Sequence, residues 1–429
     1  MLNYSFKLQR FIFVIYIISI VSLLFVRDVF EYNINKYIFA FIVILTSVIV
    51  NYQTLLSLIL FTLPLMCGLP GNYFLPIWAV LILYHQISTR SINYYSLLFV
   101  AIFVIWEYVI CSLYPFEFSP INYMAYSSSL LILSLLITDK SNIDYHFPVT
   151  LFCIGCCVLL SIIFVVYMRD PSLMFSEGGV RMGGDTYADE GVMTLRTNPN
   201  NIGYLSTSSI ACLLSLYYYK KIKLFPFFVM LFISFACGMY SVSRTWALLV
   251  VLCFIIYFIA QKKNRLKGFL VLMTFSLAVI VYLNNNPAIL NSFIERFTED
   301  NIETAGERTT LFASYNQFLF EHPMNFFFGT SSQLYKQVTG IYYSTHNALQ
   351  QIWLSYGIIG FVIFVLAFIL VLKNTYKRTQ YMAYLPIIIV VLFLQTIQIL
   401  NPHTGMYPLV AAFMVIKMDL NPKISSSKL

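Results

Sequence analysis

The stretch YYSTHNALQ, residues 342–350, sets a histidine and an asparagine at the mouth of a long apolar run. The chain holds five histidines in 429 residues, so one at such a boundary invites a chemical reading. Neutral imidazole keeps one ring nitrogen able to accept a proton near neutral pH, which is what a general base needs. The run that follows predicts a helix starting near Asn347, with His346 in its first turn and Ser344 or Thr345 as the cap. The positive end of a helix disfavours imidazolium, and nearby arginines act the same way. Asn347 is placed to hold a hydroxyl or the ring. Taken alone, His346 reads more simply as a capping or interface histidine that bonds only backbone. What tips it toward a base is a set of arginines expected at the same depth.

Arg196 stands just before an apolar run, in RTNPNNIGY, and Arg244 stands in the short turn SVSRTW. Arg308 opens a stretch in which Leu311, Phe312, Tyr315, Phe318 and Leu319 share one helical face. A guanidinium is planar, matches phosphate oxygens two at a time and keeps its charge when partly desolvated. An unpaired charge at membrane-surface depth is costly, so these three are expected to bind an anionic substrate. Arg181, in GGVRMGGD, reads equally as a further binder or as a loop residue. For Arg27 beside Asp28 and Arg296 beside Glu295, local pairing is the expected use.

These residues need a membrane to stand at. The chain is 59% hydrophobic, 17% aromatic and 10% charged, with a mean hydropathy of +0.78. A soluble domain carries about a quarter charged residues. The apolar residues also come in blocks of spanning length, so the fold class is an all-α polytopic membrane protein. Spans are expected at 11–26, 37–50, 54–67, 72–87, 95–112, 121–137, 147–168, 200–219, 224–240, 246–260, 267–283, 347–372, 382–399 and 404–418. That makes fourteen crossings; the second and third are short, so twelve with a re-entrant pair is the alternative. Lys7 and Arg10 precede the run Phe11 to Val26 with no small-residue cleavage site after it, which reads as a retained span.

Basic residues mark the inner side. Lys220, Lys221 and Lys223 share one loop, Lys262, Lys263, Arg265 and Lys267 another, and Lys373, Lys377 and Arg378 a third. Both termini then lie inside. The expected division is 1–168 (N-terminal spans), 169–199 (outer loop), 200–283 (spans), 284–346 (large outer loop), 347–418 (C-terminal spans) and 419–429 (inner tail). Within the large loop, Thr304 and Glu307 have capping-box spacing, and His322-Pro323 ends the pattern. A short amphipathic helix is expected there, lying on the outer membrane boundary. By side, thirteen Lys and four Arg fall inside, whereas seven Arg (Arg27, Arg169, Arg181, Arg196, Arg244, Arg296, Arg308) and two Lys (Lys36, Lys336) fall outside. Positive charge alone serves topology, so the outer preference for arginine needs its own reason.

Other polar residues are less telling. Glu107, in FVIWEYVIC, is the one acid placed inside a span, which makes it a functional candidate or a structural partner of an arginine such as Arg244. His403, in NPHTG, is expected in an outer turn facing the same cavity, and His322 is read as structural. Asp185, Asp189 and Glu190 have the composition of a divalent-metal site, but a solvated glycine-rich loop explains them better. The eight cysteines all fall in or beside apolar runs, which argues for packing over disulfides or metal binding.

The segments RTNPNNIG, SVSRTWALL, GERTTLFASYNQFLFEHPMNFFFGTSSQLY and STHNALQQIWLSYGIIGF together resemble the O-antigen ligase and Wzy-type O-antigen polymerase superfamily, most strongly over 196–372. The resemblance implies a glycosyltransferase of the bacterial inner membrane, with cytoplasmic termini, periplasmic outer loops and a periplasmic active site. It would move a glycan from undecaprenyl pyrophosphate to a sugar hydroxyl. His346 would be the catalytic histidine, and Arg196, Arg244 and Arg308 the pyrophosphate or glycan contacts. Arg181 and Asn347 would add substrate contacts, with Glu107 and His403 in support. The implied partners are lipid-linked oligosaccharide repeat units, membrane lipid and a polysaccharide chain-length regulator, with no nucleic acid. Arginine clamps need no metal and no cofactor. The favoured reading is a polymerase joining repeat units. Its rivals are a ligase, with lipid A-core as acceptor, and, from another class, a lipid-linked glycan flippase.

Overall fold

The computed structural model describes residues 6–141, 143–169, 175–176, 179–180, 195, 198–261, 273, 277, 280–281, 283–298, 302–375, 381–397, 399–400 and 406–418. The fold is all-α and multi-pass. Every expected span except 267–283, most of which lies outside the described residues, coincides with a helix. In order these are Phe6–Asp28 (α1), Lys36–Ile49 (α2), Tyr52–Thr62 (α3, continued by the 3-10 turn Leu63–Gly68), Gly71–Ser88 (α4), Tyr94–Leu113 (α5), Pro120–Thr138 (α6) and His146–Arg169 (α7). Then come Pro199–Tyr218 (α8), Leu224–Met239 (α9) and Arg244–Ala260 (α10). Among the described residues, α1, α5, α6, α7 and the later helix Ala348–Thr375 are long and apolar enough to cross a bilayer, and six further apolar helices are shorter. A two-residue hairpin, Phe175–Ser176 (β1) with Gly179–Val180 (β2), lies between α7 and α8.

The described part of segment 284–346 is mostly helical. It contains Pro287–Thr298 (α11), Ile302–Glu321 (α12), Pro323–Phe328 (α13) and Tyr335–Thr339 (α14) before Ala348–Thr375 (α15). A 3-10 turn Tyr381–Tyr384, Leu385–Phe393 (α16) and Tyr407–Lys417 (α17) complete the described helices. One amphipathic helix was expected in this loop. It is α12, which starts two residues ahead of Thr304 and stops, as expected, before His322-Pro323. Its apolar face is used differently from the expectation. Tyr315 and Leu319 are buried with Tyr335 of α14 and Leu354 of α15, so that face packs on protein, while Phe312 and Phe320 remain exposed.

Helix α8 is the centre of the bundle, buried from Ile202 through Leu216. It carries hydroxyls where lipid-facing helices carry leucine, and each finds a partner in the absence of water. Thr207 and Ser208 donate back to the carbonyls of Gly203 and Tyr204 at 2.7 Å. Ser206 donates to the Ser234 carbonyl of α9 at 2.6 Å and accepts the Trp246 indole N–H from α10 at 2.9 Å. These bonds tie three helices together where no hydrophobic force between helices exists. The eight cysteines are all free thiols, and seven are buried.

Two sets of contacts fix the ends of the bundle. At one end Arg27 donates to the Gly68 carbonyl at 2.6 Å and pairs with Asp28 at 2.8 Å, and Asp28 accepts the Leu195 N–H at 3.1 Å just before α8. Arg27 is thus used structurally, as its neighbour suggested. At the other end Lys417 donates to the carbonyls of Leu136 and Asp139 at 2.8 Å, closing the C-terminus of α6.

Candidate active site

The loop before α15 is held from three sides. The Tyr315 hydroxyl donates to the carbonyls of Tyr343 at 2.6 Å and Ile341 at 3.3 Å. Burial, and then the neighbouring Tyr335, push the Tyr315 phenol above its ordinary pKa, so it stays a donor. The Gln350 carboxamide donates to the Phe312 carbonyl of α12 at 3.0 Å. The Ala348 N–H donates to the Leu394 carbonyl at the end of α16 at 2.8 Å.

The cap differs from the expected Ser344 or Thr345. Asn347 caps α15: its Oδ1 accepts the Gln350 N–H at 3.0 Å and its carbonyl accepts the Gln351 N–H at 2.9 Å. Its Nδ2 faces the carbonyl and Oε1 of Gln395 at 3.4 Å. His346 therefore stands just outside the helix instead of in its first turn, half-buried, with φ of 49°. Bonding of Ala348 to α16 sets where the helix can begin, and the left-handed residue before it reverses the chain.

Arg244 is the first residue of α10, with Ser243 as cap. Val242 before it has φ of 46°, an outlier for a β-branched side chain. Arg308 lies on α12 one turn before Phe312, whose carbonyl meets Gln350. Arg196, Arg181 and His403 lie outside the described residues, as do Asp185, Asp189 and Glu190. Arg196 is bracketed by Leu195, tied to Asp28, and Asn198, which caps α8 by accepting the Asn200 N–H at 2.7 Å. A side-chain carbon at Gly203 would lie 3.2–3.3 Å from Trp246, Phe393 and Ser243. The starts of α8 and α10 thus meet the end of α16, which holds the start of α15. Four elements carrying or flanking Arg196, Arg244, Arg308 and His346 converge at one end of the bundle.

Helix α15 is broken, which its apolar sequence did not announce. Gly357 has φ of 64° and ψ of −176°, and the break frees two carbonyls. Leu354 O accepts the Thr330 N–H at 2.8 Å and Ser355 O accepts the Ser331 N–H at 3.0 Å. Residues 323–334 thereby form a re-entrant segment that docks on α15 from the outer loop. Non-helical backbone at this depth is tolerated because its polar groups are met by protein. Gly329, with φ of 86°, is required at the contact, since a Cβ there would lie 2.2 Å from the Ser355 carbonyl oxygen. We expect Gly329→Ala to cost about 3 kcal/mol or more through strain and overlap together. Thermal unfolding in detergent checks this, and an unchanged Tm would mean that the segment does not dock.

Glu107 explains why the segment stays down. It is fully buried on α5, and its expected partner Arg244 is replaced by donors from the re-entrant segment. Oε1 accepts the hydroxyls of Ser331 at 2.9 Å and Ser332 at 2.7 Å, together with the N–H groups of Ser332 at 2.9 Å and Gln333 at 3.3 Å. Beside it the Trp106 indole donates to the Phe328 carbonyl at 2.9 Å, and Asn325 bonds the Tyr114 hydroxyl. Glu107→Ala strips an acceptor from several buried donors, whereas Glu107→Gln keeps one carbonyl oxygen in place. The alanine variant should therefore be less stable than the glutamine variant by about 1–3 kcal/mol. Equal melting temperatures for the two would contradict this clamp.

Among the described residues, six non-glycine residues have positive φ: Glu31, Arg90, Lys220, Val242, Ser331 and His346. Glu31, Arg90 and Lys220 follow helix ends, where the left-handed conformation is an ordinary terminator. The other three stand two residues before Arg244, on the Glu107 clamp and at the candidate base. Strain of this kind gathers where surrounding structure holds a functional geometry.

Residues 229–365, from α9 to the middle of α15, match the family model described as O-antigen ligase. Over these residues the chain is similar to the O-antigen ligase family. The matched stretch contains Arg244, Arg308 and His346, and also the re-entrant segment and the Gly357 break. The resemblance noted over 196–372 is thus shown for most of that stretch. Glu107 lies outside the matched residues in sequence but bonds Ser331, Ser332 and Gln333 within them. No curated protein and no solved structure matches the chain.

Proposed function

We propose that the chain is a polymerase of lipid-linked oligosaccharide repeat units, acting at the periplasmic face of a bacterial inner membrane. The observation that carries the proposal is the convergence of the starts of α8, α10 and α15 with α12 on the loop that bears His346. In the proposed reaction the acceptor hydroxyl attacks the anomeric carbon of the growing glycan. His346 takes the hydroxyl proton, the bond from the anomeric carbon to the phosphate oxygen breaks, and polyprenyl pyrophosphate leaves with the electron pair. Arg196, Arg244 and Arg308 stabilise the charge that builds on the departing diphosphate, and preorganised donors are most valuable against developing charge. Guanidinium groups supply this without a metal. In this reading Arg181 and His403 contact the glycan.

Two supporting residues take other parts in this reading. Asn347 acts by positioning His346, because its carboxamide is engaged with Gln350 and Gln395. Glu107 acts by holding the re-entrant segment, which forms part of the wall around the lipid-facing entry. A chain-length regulator is a proposed partner on the same face.

A ligase, with lipid A-core as acceptor, is the second reading, supported by the similarity to the O-antigen ligase family. The lipopolysaccharide of a deletion strain separates the two. Loss of a polymerase leaves core bearing one repeat unit, and loss of a ligase leaves bare core. The polymerase reading predicts the first.

A further inference from the structure

A polar cavity opens at the end of the bundle away from His346. It measures about 560 Å³ and is formed by the start of α3, the end of α4 and the segment joining α6 to α7. Helix α5 fixes its position. Its first turn bonds the end of α6, with the Ser96 hydroxyl donating to Thr138 at 2.7 Å beside the cavity, whereas Glu107, near its other end, clamps the re-entrant segment. Ser96 and Glu107 are eleven positions apart on one helix, a rise of about 17 Å.

The floor of the cavity is fixed. The Tyr52 ring stacks on His85 at 3.7 Å, and the Tyr52 hydroxyl donates to Asp139 at 3.0 Å. The second Asp139 oxygen accepts the Ser141 N–H at 2.9 Å and hydroxyl at 2.6 Å, and Lys417 binds the Asp139 carbonyl at 2.8 Å. The Asp139 carboxylate behind Tyr52 and Ser141 is therefore saturated with donors. That leaves Arg90 and Lys140, both exposed, at the rim, with the Ser91 and Ser141 hydroxyls 3.3 Å apart between them. The local balance is cationic, with hydroxyl donors beside the charges, which is the chemistry of a phosphate site. Tyr84, Tyr94 and Tyr95 next to the cavity are 61%, 75% and 84% exposed. Exposed tyrosines gathered at one end of membrane helices mark the headgroup layer, so the anion comes from the bilayer.

We propose that this cavity binds the phosphate of an anionic phospholipid headgroup, with Arg90 and Lys140 on the phosphate oxygens and the acyl chains lying past Tyr94 and Tyr95. Basic pockets between helices at headgroup depth suit such lipids. The proposal is independent of the glycan chemistry at the other end.

Native mass spectrometry of the full-length protein, with phosphatidylglycerol, phosphatidylethanolamine or glycerol 3-phosphate added, tests it. Arg90 has φ of 54°, so Arg90→Asn removes the charge with a residue type that tolerates left-handed backbone; Lys140→Gln removes the second charge. We expect wild type to retain phosphatidylglycerol, the double variant to lose it by about tenfold in affinity, and Lys223→Gln, an exposed lysine elsewhere, to keep it. Equal retention by the double variant would overturn the proposal. Equal retention of phosphatidylethanolamine by wild type would do the same. Binding of glycerol 3-phosphate as strong as that of the lipid would assign the site to a soluble ester instead.

Discussion

His346→Ala should leave a fully inserted protein that makes no polymer, with transfer slowed about a hundred- to ten-thousandfold, the range general-base catalysis supplies. The geometry sharpens this expectation beyond a simple knockout. His346 occupies left-handed backbone at φ of 49°, a conformation that costs most side chains about 1–2 kcal/mol and is easiest for glycine and asparagine. His346→Asn should therefore be at least as stable as wild type and just as inactive. A histidine that only supported the loop would behave in the opposite way, with asparagine rescuing function. Polymer ladders of normal length from His346→Asn would remove the base assignment.

Arg244→Lys and Arg308→Lys should each lose most activity while keeping charge, topology and expression. Lysine replaces a planar two-pronged donor with a point charge, so it holds one diphosphate oxygen where arginine holds two. Removing one preorganised donor to a developing oxyanion slows turnover by about a hundred- to a thousandfold, or roughly 3–4 kcal/mol. The effect should fall on kcat, because the lost contact matters most as the phosphate departs. Arg244 starts α10 two residues after Val242, held at φ of 46°, and directly after the cap Ser243, so its backbone is fixed before substrate arrives. Wild-type rates from both lysine variants would reduce these arginines to topology markers.

The apolar helices were legible because composition and block length specify them. The arginine–histidine set is an expectation that rests on arginine running against the inner preference for basic residues. What stayed hidden depends on contacts distant in sequence. Ser344, Thr345 and Asn347 are all competent caps, and only the bond from Ala348 to Leu394 selects Asn347. The sequence FFFGTSSQ reads as a short apolar run followed by a polar loop, and nothing local says that it folds back onto a broken helix. Two signals were present. Glu107 inside a span required nearby donors, and Thr330, Ser331 and Ser332 form a hydroxyl cluster following Gly329 that can supply them. Gly357 offered the break that exposes carbonyls to receive the same segment. Read as a pair, those features point to a re-entrant element; read singly, each has a blander explanation.

The most direct measurement is transfer by the purified protein given two lipid-linked repeat units in detergent, with no membrane gradient. The account predicts a lengthened glycan on one polyprenyl pyrophosphate, release of the other carrier as the free diphosphate, and neither product from His346→Asn. A protein that forms no new glycosidic bond, yet moves the intact lipid-linked glycan across a vesicle bilayer, would contradict it.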